Sequence, residues 1–109
     1  MIKFIYNTEG KVVGFACGKY IYQLNGRLIG QLSGASSHVH KVTGEYVGEF
    51  YKDMIVDLHT GNVTVIRGCK EVGNTDRQTS PGNRPTLNYG FPDVSAKLVE
   101  VPVQVKIAA

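Results

Sequence analysis

The stretch KYIYQLNGRLIGQL, residues 19–32, decides the fold. It places two short apolar runs, rich in Ile, Leu and Tyr, on either side of Asn25-Gly26. An Asn-Gly pair between such runs is the usual signature of a tight β-hairpin, because the turn needs a residue that tolerates positive φ. Related stretches lie before and after it. The chain divides into IKFIYNTEGKVVGFACG, KYIYQLNGRLIGQLSGAS, SHVHKVTGEYVGEFYKD and MIVDLHTGNVTVIRGC, with turn glycines Gly10, Gly26, Gly44 and Gly61 at intervals of 16, 18 and 17 residues. Each unit is predicted to be a β-hairpin.

Four residues after each turn glycine stand Gly14, Gly30 and Gly48, and the fourth unit substitutes Val65. A glycine that recurs inside a strand marks a bulge, a bend, or a place where another backbone passes close by. The hairpins are therefore expected to bend and crowd together at these positions. Strand alternation assigns Ile5, Ile21, Val39 and Val56, five residues before the turns, to a shared core. Val13, Ile29, Val47 and Thr64, three residues after them, join it. A lone hairpin is marginal in water, so four must pool their apolar faces. The prediction is an all-β fold: four consecutive β-hairpin repeats in a pseudo-fourfold cluster, a long loop over 70–93 and a C-terminal edge strand within 94–109.

This recurring pattern, with its turn glycine and second glycine over residues 2–69, resembles the four-fold β-flower proteins. These are small bacterial domains of four hairpins, some carried on integron gene cassettes. The resemblance implies the same fold and little about activity. Val65 departs from its pattern. GEYVGEFYKDM also looks like a MORN repeat, but the period of about 17 is short for that family.

The loop KEVGNTDRQTSPGNRPTLNYGFPD is polar and punctuated by Gly and Pro; it is either a passive crossing or a lid or arm anchored by Tyr89 and Phe91. The tail KLVEVPVQVKI alternates, setting Val99, Val101, Val103, Val105 and Ile107 on one face. Pro102 lacks an amide proton and suits an edge. Those five residues are the expected oligomer interface, and a homo-oligomer is predicted because 109 residues cover little apolar surface alone.

Four residues before the turn glycines come Tyr6, Tyr22, His40 and Asp57. With Tyr20, His38 and His59 they form the candidate ligand-binding face, for a small molecule or a protein partner. The competing reading is an ordinary solvated sheet face. HVH at 38–40 and DLH at 57–59 also raise a metal site, or a metal-dependent enzyme, built on His38, His40, Asp57 and His59. No cofactor is expected.

Catalytic signatures fail on spacing. GFACGK at 14–19 has three residues between its glycines where a phosphate loop has four, and GQLSG is no nucleophile elbow. Cys17 and Cys69 are too few for a disulfide scaffold, lack any CxxC spacing and read as buried free thiols. A non-enzyme is therefore expected. The net charge of +3, from 12 Lys and Arg against 9 Asp and Glu, is scattered, which argues against a nucleic-acid track through Lys19, Tyr20, Tyr22 and Arg27. No run of about 20 apolar residues and no signal peptide is seen, so a cytoplasmic protein is expected, with no membrane contact.

Overall fold

The computed structural model describes residues 2–33, 38–57 and 65–99. Its strands are β1 (Ile2–Tyr6), β2 (Val12–Cys17), β3 (Tyr20–Tyr22), β4 (Leu28–Ser33), β5 (His38–Lys41), β6 (Tyr46–Tyr51) and β7 (Met54–Val56). A 3-10 turn (Lys70–Val72) and a short helix, α1 (Ala96–Val99), follow. The seven strands form one antiparallel sheet in chain order. Its two ends approach each other, and the Tyr6 amide donates to the Asp53 carbonyl at 2.8 Å. The result is a nearly closed, barrel-like sheet.

Each interior glycine follows a bulge. Ile5 pairs with Gly14 and Tyr6 with Val12, so Val13 is the extra residue. Ile29 and Val47 are extra in the same way in the second and third hairpins. The neighbouring hairpin crosses directly over the glycine. Carbonyl oxygens of Tyr22, His40 and Val56 lie 2.3, 2.9 and 2.6 Å from where a Cβ would sit on Gly14, Gly30 and Gly48. Only a residue without a side chain admits that approach.

The inner face carries the core. Ile5, Ala16, Ile21, Leu32, Val39 and Ile55 line it, with the bulge residues Ile29 and Val47, and Val13 and Phe50 pack alongside. Val56 is also fully buried, but the register corrects its assignment. Phe50 pairs with Ile55 and Glu49 with Val56, just as Leu32 pairs with Val39 and Gln31 with His40. Val56 therefore stands where Tyr22 and His40 stand, and Asp57 falls one residue beyond that column. The spacing misled because Gly61 follows Val56 by five residues in the sequence, whereas Gly26 follows Tyr22 and Gly44 follows His40 by four.

The second arm of the fourth hairpin is also different from the expectation. Residues 58–64, including His59, Gly61 and Thr64, lie outside the described residues, and 65–69 form no strand. Instead the chain from Ile66 onward runs as a belt across the hairpin turns. Amides of Ile66 and Cys69 donate to Gly44 and Val42, those of Thr75 and Gln78 to Gly26 and Leu24, and those of Arg84 and Leu87 to Gly10 and Thr8, all at 2.7–3.0 Å. The belt thus advances nine residues per turn. At Asp93 it bridges back to Val56, and Asp57 and Val94 exchange hydrogen bonds with Pro92 and Ile55. Residues 92–94 take the flank of β7.

The tail begins as a helix where a strand was expected. Asp93 starts it: Oδ1 accepts from the Ser95 amide at 2.9 Å and its hydroxyl at 2.7 Å, while Oδ2 accepts from the Thr8 amide at 2.7 Å. Ala96, Lys97 and Leu98 are good helix formers. Val94 and Leu98, four residues apart, drop into the core and pack over Gly48 and Gly30. The remaining interface candidates, Val101, Val103, Val105 and Ile107, lie outside the described residues, as does the side chain of Val99.

Candidate functional site

The opposite face of the sheet is ordered by register into lateral rows. Phe4, Phe15, Tyr22 and Leu28 form one row; Cys17, Tyr20, Gln31, His40 and Tyr46 form the next; Ser33, His38, Glu49 and Val56 form the third. The first is apolar. Phe15 stacks on Tyr22 at 5.4 Å and meets Phe4 edge-on at 6.4 Å, and Cys69 of the belt seals the cluster. Burial pushes both the Tyr22 hydroxyl and the Cys69 thiol above their ordinary pKa, so both stay neutral. Cys17 and Cys69 are free thiols.

The polar groups gather on β4, β5 and β6. His40 is 1% exposed. Its Nδ1 lies 3.1 Å from the Gly44 carbonyl, which can only accept, so Nδ1 carries the proton. Nε2 then accepts from the Ser33 hydroxyl at 2.9 Å. Burial holds the His40 pKa below its ordinary value, which keeps the ring neutral. Its edge meets the Tyr46 ring at 5.7 Å.

Beside it, Glu49 is a buried carboxylate. It receives His38 Nδ1 at 3.0 Å and the Tyr46 hydroxyl, both on Oε2. Gln31 donates from Nε2 to the carbonyls of Arg67 at 2.9 Å and Lys41 at 3.3 Å, tying the belt to the sheet here. The His38 side chain, about one-third exposed, forms the solvent edge of the group.

A third cluster forms where the belt passes the β6–β7 turn. The Arg84 guanidinium binds the Asp53 carboxylate in a fork, with Nη2 to Oδ1 at 2.9 Å, and Tyr89 donates to Oδ1 at 3.1 Å. The Arg84 hydrogen bonds hold the Asp53 carboxyl below the usual carboxylate range, and Asp53 in turn raises Arg84. The guanidinium carbon lies 4.2 Å from the centre of the Tyr6 ring.

The candidate residues therefore divide. Tyr22 belongs to the apolar row, Tyr20 borders it, His38 and His40 share the polar group, and Tyr6 lies under Arg84. Asp57 is elsewhere, beside the end of the belt. Among the described residues, no three of His, Cys, Asp and Glu are gathered closely enough to hold a metal ion. Sequence reasoning missed Ser33, Tyr46, Glu49, Asp53 and Arg84. Glu49 was within reach, because it stands opposite His38 in the hairpin register that Gly44 fixes; Ser33 faces His38 from the neighbouring hairpin, across β4 and β5. Arg84 was not, since nothing local ties residue 84 to residue 53.

Hairpins bulged ahead of an interior glycine, crossed there by a neighbouring backbone and closed into one sheet, define a β-hairpin-repeat domain. The chain matches the family model described as 4-fold beta flower protein over residues 3–96 and belongs to that family. No curated protein and no solved structure gives a significant match. Among the described residues, no helix is long and apolar enough to cross a membrane.

Proposed function

We propose that the protein is a non-enzymatic binding module that takes a small polar ligand at the group formed by Ser33, His38, His40, Tyr46 and Glu49. The observation that carries this reading is Glu49. A carboxylate only 6% exposed gathers two side-chain donors, His38 Nδ1 and the Tyr46 hydroxyl, on Oε2. A carboxylate has acceptor capacity beyond two hydrogen bonds, so a donor brought by a ligand would add to them. The ligand class that suits it carries amine or hydroxyl donors, entering past His38. A neutral His40, with both nitrogens engaged, supports binding over general-base work.

Thermal shift of the purified chain against amines and polyols tests it, since ligands that bind the native state raise the melting temperature. Hits should be lost in Glu49→Gln and kept in Tyr20→Phe, which lies nearer the apolar row. Hits indifferent to Glu49→Gln, or a library with none, would overturn the assignment. In this reading the working unit is a homo-oligomer, supported by large apolar residues on the surface, among them Val65 at 72% exposure, Ile2, Val72 and Leu87. Sedimentation velocity over a concentration range checks that.

A further inference from the structure

The two-residue turns of the sheet share a left-handed first position but fill it with different residues. Between β2 and β3, Cys17 pairs with Tyr20 and the turn is Gly18-Lys19; between β6 and β7, Tyr51 pairs with Met54 and the turn is Lys52-Asp53. Gly18 has φ of 65°, which glycine adopts freely. Lys52 takes φ of 57° in the equivalent place and is the one non-glycine residue at positive φ among the described residues. Left-handed backbone is unfavourable for an L side chain and persists where the surroundings hold it.

What surrounds Lys52 is aromatic. Its ammonium lies 4.9 Å from the centre of the Tyr89 ring and 5.6 Å from that of Tyr51. Tyr51 meets Tyr89 at 5.3 Å and 71°, and Phe91 at 5.4 Å and 68°. Three rings at steep angles, all half-buried, make a corner with ring surface left open to solvent. The adjacent Asp53 carboxylate is engaged by Arg84 and Tyr89. Among the described residues Lys52 forms no ion pair, so the rings are what attract its ammonium.

We propose that the Tyr51, Tyr89 and Phe91 corner is a binding site for organic cations of the quaternary ammonium class, occupied at rest by the chain's own Lys52. A primary ammonium suits such a corner poorly, because it is strongly hydrated and ring faces return few of the hydrogen bonds it loses. An N-methylated cation gives up less hydration and covers more of each ring. Lys52 is thus a weak internal competitor, held by the turn and displaced by a better-matched cation.

The test uses the full chain and two probes of one shape: choline, and its neutral carbon isostere 3,3-dimethylbutan-1-ol. Binding is read by two-dimensional NMR of the aromatic rings. In Lys52→Gly, whose backbone suits φ of 57°, choline should bind at least about tenfold more tightly than in the natural chain, with shifts centred on Tyr51, Tyr89 and Phe91. Lys52→Gln, which keeps the side-chain length without the charge, should move in the same direction. The isostere should bind at least about tenfold more weakly than choline, and Phe91→Leu in the Lys52→Gly background should weaken choline. Absence of choline shifts in both Lys52 variants, equal binding of the isostere, or indifference to Phe91→Leu would each overturn the proposal.

Discussion

Replacing Gly26 with alanine tests whether the belt is part of the fold or merely lies upon it. Gly26 has φ of 91°, and an ideal Cβ there would lie 2.0 Å from the Thr75 carbonyl oxygen. Ordinary contact begins at 3.4 Å, so the belt must retreat by about 1.4 Å, the difference between the two. That retreat breaks or weakens three bonds at this turn: Thr75 to Gly26, Gln78 to Leu24, and the Leu28 amide to Asn74 Oδ1 at 2.9 Å. At about 0.5–1.5 kcal/mol each, with about 1–2 kcal/mol for the left-handed alanine, the expected loss is about 2.5–6.5 kcal/mol. Gly18→Ala is the control. Its φ is 65° but its Cβ would meet no atom within 4 Å, so only the backbone cost of about 1–2 kcal/mol applies. Urea unfolding of both variants gives the two numbers, and hydrogen exchange locates the damage. Amides of Thr75 and Gln78 should lose protection while those of Arg84 and Leu87 keep theirs. Equal losses in the two variants would refute the reasoning and reduce the turn glycines to simple φ requirements.

Leu98→Ala should cost about 2–4 kcal/mol in the same assay, because it empties the plug over Gly30; a loss under about 1 kcal/mol would mean that α1 is not part of the core. The Asp53 carboxyl sits below its ordinary range because Arg84 bonds its charged form. Its contribution to stability is therefore complete above the unfolded value of about pH 4 and is lost as pH falls through the lower folded value. Asp53→Asn should lower stability at pH 7 by about 1 kcal/mol and flatten the acid limb below about pH 4, measured by urea titration across pH. An acid limb unchanged by the substitution would place that dependence elsewhere.

Local chemistry made the hairpins legible. Asn25-Gly26 between apolar runs, and the repeat of Gly14, Gly30 and Gly48, declare turns and close approaches, and the bulges at Val13, Ile29 and Val47 lie beside those glycines. The fourth repeat was misread because Gly61 follows Val56 by five residues where Gly26 follows Tyr22 by four, so counting back from the glycine put Asp57 in the place that belongs to Val56. The belt was written in the sequence, but faintly. Gly73-Asn74-Thr75 and Gly82-Asn83-Arg84 repeat at nine residues, a period with no secondary structure of its own, because its hydrogen bonds go to distant turns. In the tail, strict alternation from Val99 to Ile107 outweighed the helix signal of Asp93, Ser95 and the spacing from Val94 to Leu98. The candidate face was legible as a face. Its division into apolar, polar and cationic clusters was not, since that depends on which belt residue meets which hairpin.

The same division explains how a repeated frame can carry unlike sites. The contacts that repeat are almost entirely backbone: belt amides to turn carbonyls, and carbonyls passing over glycines that have no side chain to obstruct them. Such contacts constrain glycine positions and leave the neighbouring side chains free to differ. At equivalent belt positions stand Ile66, Thr75 and Arg84, and at equivalent strand positions Tyr22, His40 and Val56. Where Arg84 meets Asp53 and Tyr6, the frame builds an ion pair under an aromatic corner; where Cys69 meets Phe15 and Tyr22, it builds a dry cluster. Between them, His40, Tyr46 and Glu49 hold the buried polar group. Substitutions at the glycines should therefore cost stability throughout the sheet, whereas those at Glu49 or Lys52 should change what the surface binds and leave the frame standing.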